Sequence, residues 1–98
     1  MAKRVFAIHP GEILREEFMK PLGLTAYQLA KDLHVSIPRI HDIVRERRGV
    51  TADTALRLGK YFGTDAQTWM NLQADYDLRI ARSKADIASV RPRKSAAA

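Results

Sequence analysis

The sequence contains no cysteine, which excludes disulfide bonds, thiolate metal sites and thiol catalysis, so packing alone must hold the fold together. It also lacks long apolar runs. The stretch after Lys3 and Arg4 is too short for a signal peptide, and no segment approaches membrane-spanning length. We therefore expect a cytoplasmic protein that does not associate with membranes.

Apolar residues and positive charge are what the sequence has in quantity. A hydrophobic content of 46% over 98 residues is enough for one small core, and a formal net charge of +6 favours a polyanionic partner. Half of that charge lies in residues 83–98. We expect an N-terminal arm over residues 1–8, a folded unit over residues 9–82 and a flexible basic tail over residues 83–98.

Three glycines that each precede a threonine divide the chain into helical segments. These pairs are Gly23 with Thr25, Gly49 with Thr51 and Gly63 with Thr64. Glycine tolerates the left-handed conformation that ends a helix, and a threonine side chain accepts hydrogen bonds from the free amides that begin the next one. Thr25 with Gln28, and Thr64 with Gln67, have the spacing of a capping box.

Apolar periodicity between these signals predicts five helices and no strand. The expected helices cover residues 11–19 (ending before Pro21), 26–33, 37 to about 45, 52–62 and 65 to about 82. The sequence thus predicts an all-α, compact five-helix domain.

The second and third helices have the spacing of a helix-turn-helix, from about Thr25 to Arg48. The apolar positions that indicate it are Leu29, Ala30, Leu33, Val35, Ile40 and Ile43. The small Ala30 allows two steeply crossing helices to approach closely. His34 occupies the turn position that usually holds glycine with positive φ, which histidine tolerates better than most residues.

The third helix is the expected recognition helix, because Ile37, Ile40, Ile43 and Val44 turned inward leave a polar face outward. We expect Arg39 to contact guanine, His41 and Asp42 to contact other base edges, and the nearby arginines to contact phosphates. The full set of expected DNA-binding residues is Thr25, Gln28, Ser36, Pro38, Arg39, His41, Asp42, Arg45, Arg47, Arg48 and Thr51. The alternatives are that the arginines form only a solvated basic face and that the threonines serve only as caps.

Signals for catalysis or metal binding are weak. Glu12, Glu16 and Glu17 lie in a helix without a partner nucleophile or a phosphate-binding loop. The histidines His9, His34 and His41 lack metal-ligand spacing. We expect no enzymatic activity, no metal and no cofactor, and we assign the aromatic residues to packing instead of base stacking.

Four stretches of sequence resemble one known family. They are HPGEILREEF from His9, PLGLT from Pro21, TADTALRL from Thr51 and WMNLQ from Trp69. In this order and spacing, over roughly Ile8 to Ala81, the chain resembles the HigA/VapI antitoxins. These belong to the Xre-like, lambda-repressor-type helix-turn-helix proteins.

The resemblance implies the antitoxin of a type II toxin-antitoxin system. Such a protein neutralises a HigB-type ribonuclease toxin and represses its own operon by binding a palindromic operator as a homodimer. Members commonly dimerise through the C-terminal helical region, which here carries Trp69, Leu72, Tyr76 and Ile80. An isolated monomer would use the same face for its own core.

Two departures from the family pattern leave the operator sequence open. Ile37-Pro38 replaces a polar pair after the capping serine, and His41 stands where asparagine is common. Two alternative functions are therefore kept: a stand-alone transcriptional regulator without a toxin, and a protein-interaction module that has lost DNA binding. No surface is assigned to the toxin.

Overall fold

The computed structural model describes residues 6–94, so residues 1–5 of the expected arm and residues 95–98 of the expected tail lie outside the described residues. Five helices and no strand make up this part of the chain, which confirms the all-α prediction. After a first helix, α1, come α2 (Ala26–Leu33), α3 (Ile37–Val44), α4 (Ala52–Phe62) and α5 (Ala66–Lys84).

Helix α1 is longer than expected because it continues through Pro21. It runs as an α-helix over Pro10–Ile13, as a π-helix over Leu14–Met19 and as a final α-helical turn over Lys20–Leu22. Proline lacks an N–H, and its ring collides with the carbonyl four residues earlier in a regular α-helix. The wider π-turns accommodate Pro21, so the prediction that the helix ends before this residue was wrong.

The local signals around α2 to α4 are confirmed except at Gly49. This glycine lies five residues beyond the end of α3 and has no positive φ, so the helix stop predicted there was wrong. The Thr25 side chain and the Gln28 side chain form the capping box of α2, and His34 ends that helix at a φ of 58°. Gly23 and Gly63 end α1 and α4 with positive φ. These contacts are local in sequence, which is why the helix boundaries were predictable.

The start of α5 differs from the prediction. Asp65 is the N-cap, with its carboxylate accepting from the Gln67 amide at 3.1 Å. The Thr64 hydroxyl, expected to be the cap, instead accepts from the Trp69 indole N–H at 2.8 Å. A buried indole N–H needs an acceptor, so the burial of Trp69 determines the role of Thr64.

The core is formed by side chains from all five helices. Its fully buried large side chains include Leu14, Leu29, Ile40, Leu58 and Trp69. The ring of Phe18 packs against both Trp69 and Phe62, at centroid distances of 5.3 Å and 4.9 Å.

Helix α1 approaches the carboxyl end of α3 closely. A Cβ at Gly11 would lie 1.8 Å from the Ile43 carbonyl oxygen, so only glycine fits there. One turn later the Arg15 guanidinium donates to the Val44 carbonyl and lies 3.4 Å from the Glu46 carboxylate. These contacts fix the end of α3 against α1.

The last residues of α5 and the segment after it are exposed. The described part of the chain measures 53 × 38 × 21 Å, and every residue from Ala81 to Lys94 is exposed. Helix α5 continues to Lys84, two residues into the expected tail. Within residues 6–94, none of the helices is long and apolar enough to cross a membrane.

Candidate DNA-binding surface

One face of α3 is turned toward solvent. Ile40 and Ile43 are fully buried on the inner face. Pro38 and Arg45 are exposed, and His41 and Asp42 are partly exposed. The outward face therefore presents a mixture of donors, acceptors and apolar surface, suited to the edges of base pairs.

Ile37 was expected to face inward, and that expectation was wrong. Its side chain is 42% exposed. Helical side chains point back toward the amino end, so the first residue of α3 projects beyond the helix instead of over its neighbours. An exposed apolar side chain thus lies at the start of the recognition helix.

Arg39 lies at the edge of the exposed face and is held by neighbouring side chains. Its Nη1 donates to the Asp53 carboxylate at 2.7 Å and lies 3.4 Å from the Thr54 hydroxyl. The same Asp53 oxygen accepts from Arg57 Nε at 2.9 Å. The Arg57 guanidinium, followed by that of Arg39, lowers the pKa of the Asp53 carboxyl.

Asp53 is a residue that sequence reasoning missed. Its position in the first turn of α4, four residues before Arg57, indicates only a helix-stabilising charge and a local ion pair. The pair with Arg39 joins residues of two helices and was not visible in any periodicity. Arg57 extends the network by donating to the Leu33 carbonyl at 2.9 Å, at the end of α2.

The side chains that begin α2, α3 and α4 are exposed, and all of them cap their own helices. Ser36 accepts from the Arg39 amide at 3.3 Å, and Thr51 accepts from the Thr54 amide at 3.5 Å. Thr25 and Gln28 exchange hydrogen bonds in the capping box. Capping is therefore observed, while phosphate contacts at these helix ends stay a prediction.

The loop after α3 carries the exposed side chains of Arg45, Arg47 and Arg48. Glu46 adopts a φ of 61°, and the Arg47 amide donates to the Asp42 carbonyl at 2.9 Å. At the end of this loop the Val50 amide donates to the Gln73 side chain at 2.7 Å. A structured backbone thus presents three cations beside the exposed face of α3.

The expected dimer residues on α5 have different environments. Trp69 is only 1% exposed and belongs to the core of its own chain. Its assignment to a dimer interface was therefore wrong, because a buried side chain offers no surface to a partner. Leu72, Tyr76 and Ile80 are partly exposed, and their role in dimerisation stays a prediction.

His9 has a structural role at the start of α1. It is 3% exposed, and its Nδ1 accepts from the Gly11 amide at 2.8 Å as the N-cap of α1. Its ring packs edge-on against Tyr76 at 4.8 Å. Burial lowers the pKa of His9 from its ordinary value. Across residues 6–94, no cluster of three or more potential metal ligands is present.

A helix-turn-helix family matches residues 16–69. The chain is 69% identical over 75 residues to Virulence-associated protein I of Dichelobacter nodosus, a match that covers 76% of this chain and 69% of that protein. It spans 61% of the length of two curated Escherichia coli helix-turn-helix regulators.

Solved structures show the same fold with DNA present. The Pseudomonas aeruginosa antitoxin HigA with the higBA promoter is 54% identical, with a TM-score of 0.79 over 80% of this chain and 85% of that one. The antitoxin GraA in complex with its operator is 45% identical, with a TM-score of 0.85 over 95% and 97% of the two chains.

Proposed function

Since the chain belongs to the helix-turn-helix family that includes Virulence-associated protein I and the HigA antitoxins, we propose that it is a cytoplasmic antitoxin and autorepressor. In this role it binds an operator as a dimer and neutralises a HigB-type toxin. The observation that carries the DNA-binding part is the exposed face of α3 beside the three-arginine loop. The operator-bound structures of similar antitoxins support it.

Helix α3 enters the major groove with its amino-terminal half toward the bases. Ile37 and Pro38 contact thymine methyl groups, since both are exposed and apolar. Arg39, His41 and Asp42 contact polar base edges. The departure from the family pattern at Ile37-Pro38 thus changes which bases are read and does not remove DNA binding.

Phosphates flank this contact on both sides. The amino ends of α2 and α4, with Thr25, Gln28 and Thr51, direct amides and positive helix dipoles toward the backbone. The side chains of Arg45, Arg47 and Arg48 add charge at the end of α3. Such contacts fix the register of the protein on DNA, and they make binding strongly dependent on salt concentration.

Dimerisation uses the partly exposed apolar side chains along α5. Leu72, Tyr76 and Ile80 follow one another at four-residue spacing, so they form a stripe along the helix. A two-fold dimer places two α3 helices about 34 Å apart, one turn of DNA, and the target is then a pseudo-palindrome.

The first experiment measures binding to the DNA fragment upstream of the chain's own reading frame. We expect specific, salt-sensitive binding that weakens by about 1–3 kcal/mol in Arg39→Ala, the amount that one base contact contributes. Lys20→Ala is the matched control, because Lys20 is an exposed cation on α1 that also pairs with a carboxylate. Absence of binding at low salt, or equal losses in both variants, contradicts DNA readout by α3.

The antitoxin part needs its own test. The product of the neighbouring reading frame is expressed with and without this chain, and both growth and co-purification are measured. Growth arrest that the chain relieves, together with a stable complex, supports neutralisation. A neighbour that is harmless and does not bind supports the stand-alone regulator.

A further inference from the structure

A chain of polar contacts links the three helices around the exposed face of α3. It runs from Arg39 on α3 to Asp53 and Arg57 on α4, and then to the Leu33 carbonyl at the end of α2. Its three contacts measure 2.7–2.9 Å. The centre of this chain is Asp53, whose single Oδ2 atom receives both guanidinium groups.

The geometry leaves one edge of the Arg39 guanidinium free. Its Nη1 is directed to Asp53 and Thr54, whereas Nε and Nη2 make no hydrogen bond within residues 6–94. A guanidinium is planar, so holding one nitrogen orients the whole fork. The free Nε/Nη2 edge has the two parallel donors that a bidentate contact with guanine O6 and N7 requires.

We propose that Asp53 is a positioning residue for DNA readout, which holds the guanidinium of Arg39 in the orientation that recognises one guanine in each half-site. Arg57 is its second anchor: it ties Asp53 to the end of α2, so the carboxylate is held from two sides. This inference rests on the proposed operator binding. Asp53 itself is negatively charged and makes no attractive contact with DNA.

A simple charge effect predicts a different outcome from positioning. Replacing Asp53 by asparagine removes a negative charge near the DNA, which strengthens binding to every sequence alike. Loss of positioning instead weakens discrimination at the one base pair that Arg39 contacts. The ratio of affinities for the native and the substituted base pair separates the two, because a uniform gain cancels in that ratio.

The test compares wild type, Asp53→Asn, Arg39→Ala and the double variant. Their affinities are measured for the upstream DNA fragment and for its single-base-pair substitutions across the protected region. The position where Arg39→Ala loses discrimination identifies the contacted base pair. We expect Asp53→Asn to reduce the affinity ratio at that position by about fivefold, and at no other, because a bidentate contact discriminates by about fivefold or more.

Two controls keep the result specific to positioning. Glu16→Gln removes a carboxylate that also bridges two cations, Arg15 and Lys20, on α1, and we expect it to leave every ratio unchanged. In the Arg39→Ala background, Asp53→Asn should have no further effect on the ratio. Thermal unfolding followed by the fluorescence of Trp69 confirms that each variant is folded.

Each outcome decides the inference. Unchanged ratios in Asp53→Asn, or an equal change in the presence and absence of Arg39, overturn the positioning role while operator binding stands. A sharper ratio in Asp53→Asn also overturns it, since Asp53 would then withhold Arg39 from DNA. If wild type shows no sequence-dependent binding, the proposed function fails, and this inference fails with it.

Discussion

Replacing Gly11 with alanine tests the contact between α1 and α3. Alanine normally stabilises a helix relative to glycine, by at most about 1 kcal/mol. At this position its Cβ would lie 1.8 Å from the Ile43 carbonyl oxygen and 2.8 Å from the carbonyl carbon. Those atoms belong to the helix backbone and cannot rotate away, so α1 must move as a body.

The required movement determines the size of the effect. Ordinary contact begins at 3.4 Å, so the two helices must separate by about 1.6 Å at this point. Overpacking of a tight interior costs about 1–3 kcal/mol, occasionally more, and the backbone clash belongs at the upper end. We expect Gly11→Ala to lose about 2 kcal/mol net, and its Tm to fall by about 10 °C, given about 4–8 °C per kcal/mol in a small domain.

Urea unfolding followed by Trp69 fluorescence measures this change, since Trp69 is the one tryptophan of the chain and is buried. Gly49→Ala is the matched control, because its Cβ would meet side-chain atoms of Gln73, at 3.0 Å, and no helix backbone. It should cost less than Gly11→Ala. A Gly11→Ala protein as stable as wild type would refute the close approach of α1 to α3.

Two further predictions follow from titratable groups. Burial holds the pKa of His9 below its ordinary value of 6.5, and the opposing effect of Glu46 and Asp77 is smaller. The contribution of neutral His9 to folding stability is therefore present above pH 6.5 and is lost as the pH falls through the folded-state pKa. His9→Asn keeps a capping side chain, so its Tm should fall less than that of wild type between neutral pH and about pH 5, and an equal fall contradicts the argument. The Tyr61 hydroxyl donates to Asp32 at 2.7 Å, and this bond raises the pKa of Tyr61 above 10. Asp32→Asn should move part of the phenolate absorbance to lower pH, and a Tyr61→Phe background should abolish that shift.

The helices that were predicted correctly are those whose ends depend on their own residues. Thr25 with Gln28 begins α2, Ser36 begins α3 and Thr51 begins α4. In each of these cases the cap lies within three residues of the amide it satisfies. A signal this local is readable before any tertiary structure is known.

The errors arose where packing in the core overrode a spacing signal. Thr64 had the spacing of a cap, but the indole of Trp69 takes its hydroxyl and Asp65 caps the helix instead. Periodicity placed Trp69 on the same face of the helix as the partly exposed Leu72. Trp69 nevertheless lies too deep in the core to reach an interface. Depth along a helix is a property of the whole packing, which periodicity does not report.

The candidate DNA-binding surface was predictable in outline only. The exposed positions of α3 follow from its apolar spacing, and the arginines after it follow from composition. The restraint of Arg39 by Asp53 did not follow, because it depends on how α4 is placed beside α3. Ile37 was misplaced because a periodicity argument treats the first residue of a helix like those in its middle.

The π-helical segment Leu14–Met19 affects how this protein is compared with its relatives. A π-turn holds one residue more than the corresponding α-turn, so the segment is geometrically equivalent to an α-helix with an inserted residue. In a relative without a proline at the position of Pro21, the same length of helix can be spanned by one residue fewer. An alignment gap in this stretch would then record a change of helix type, while the faces of α1 before and after it stay in register.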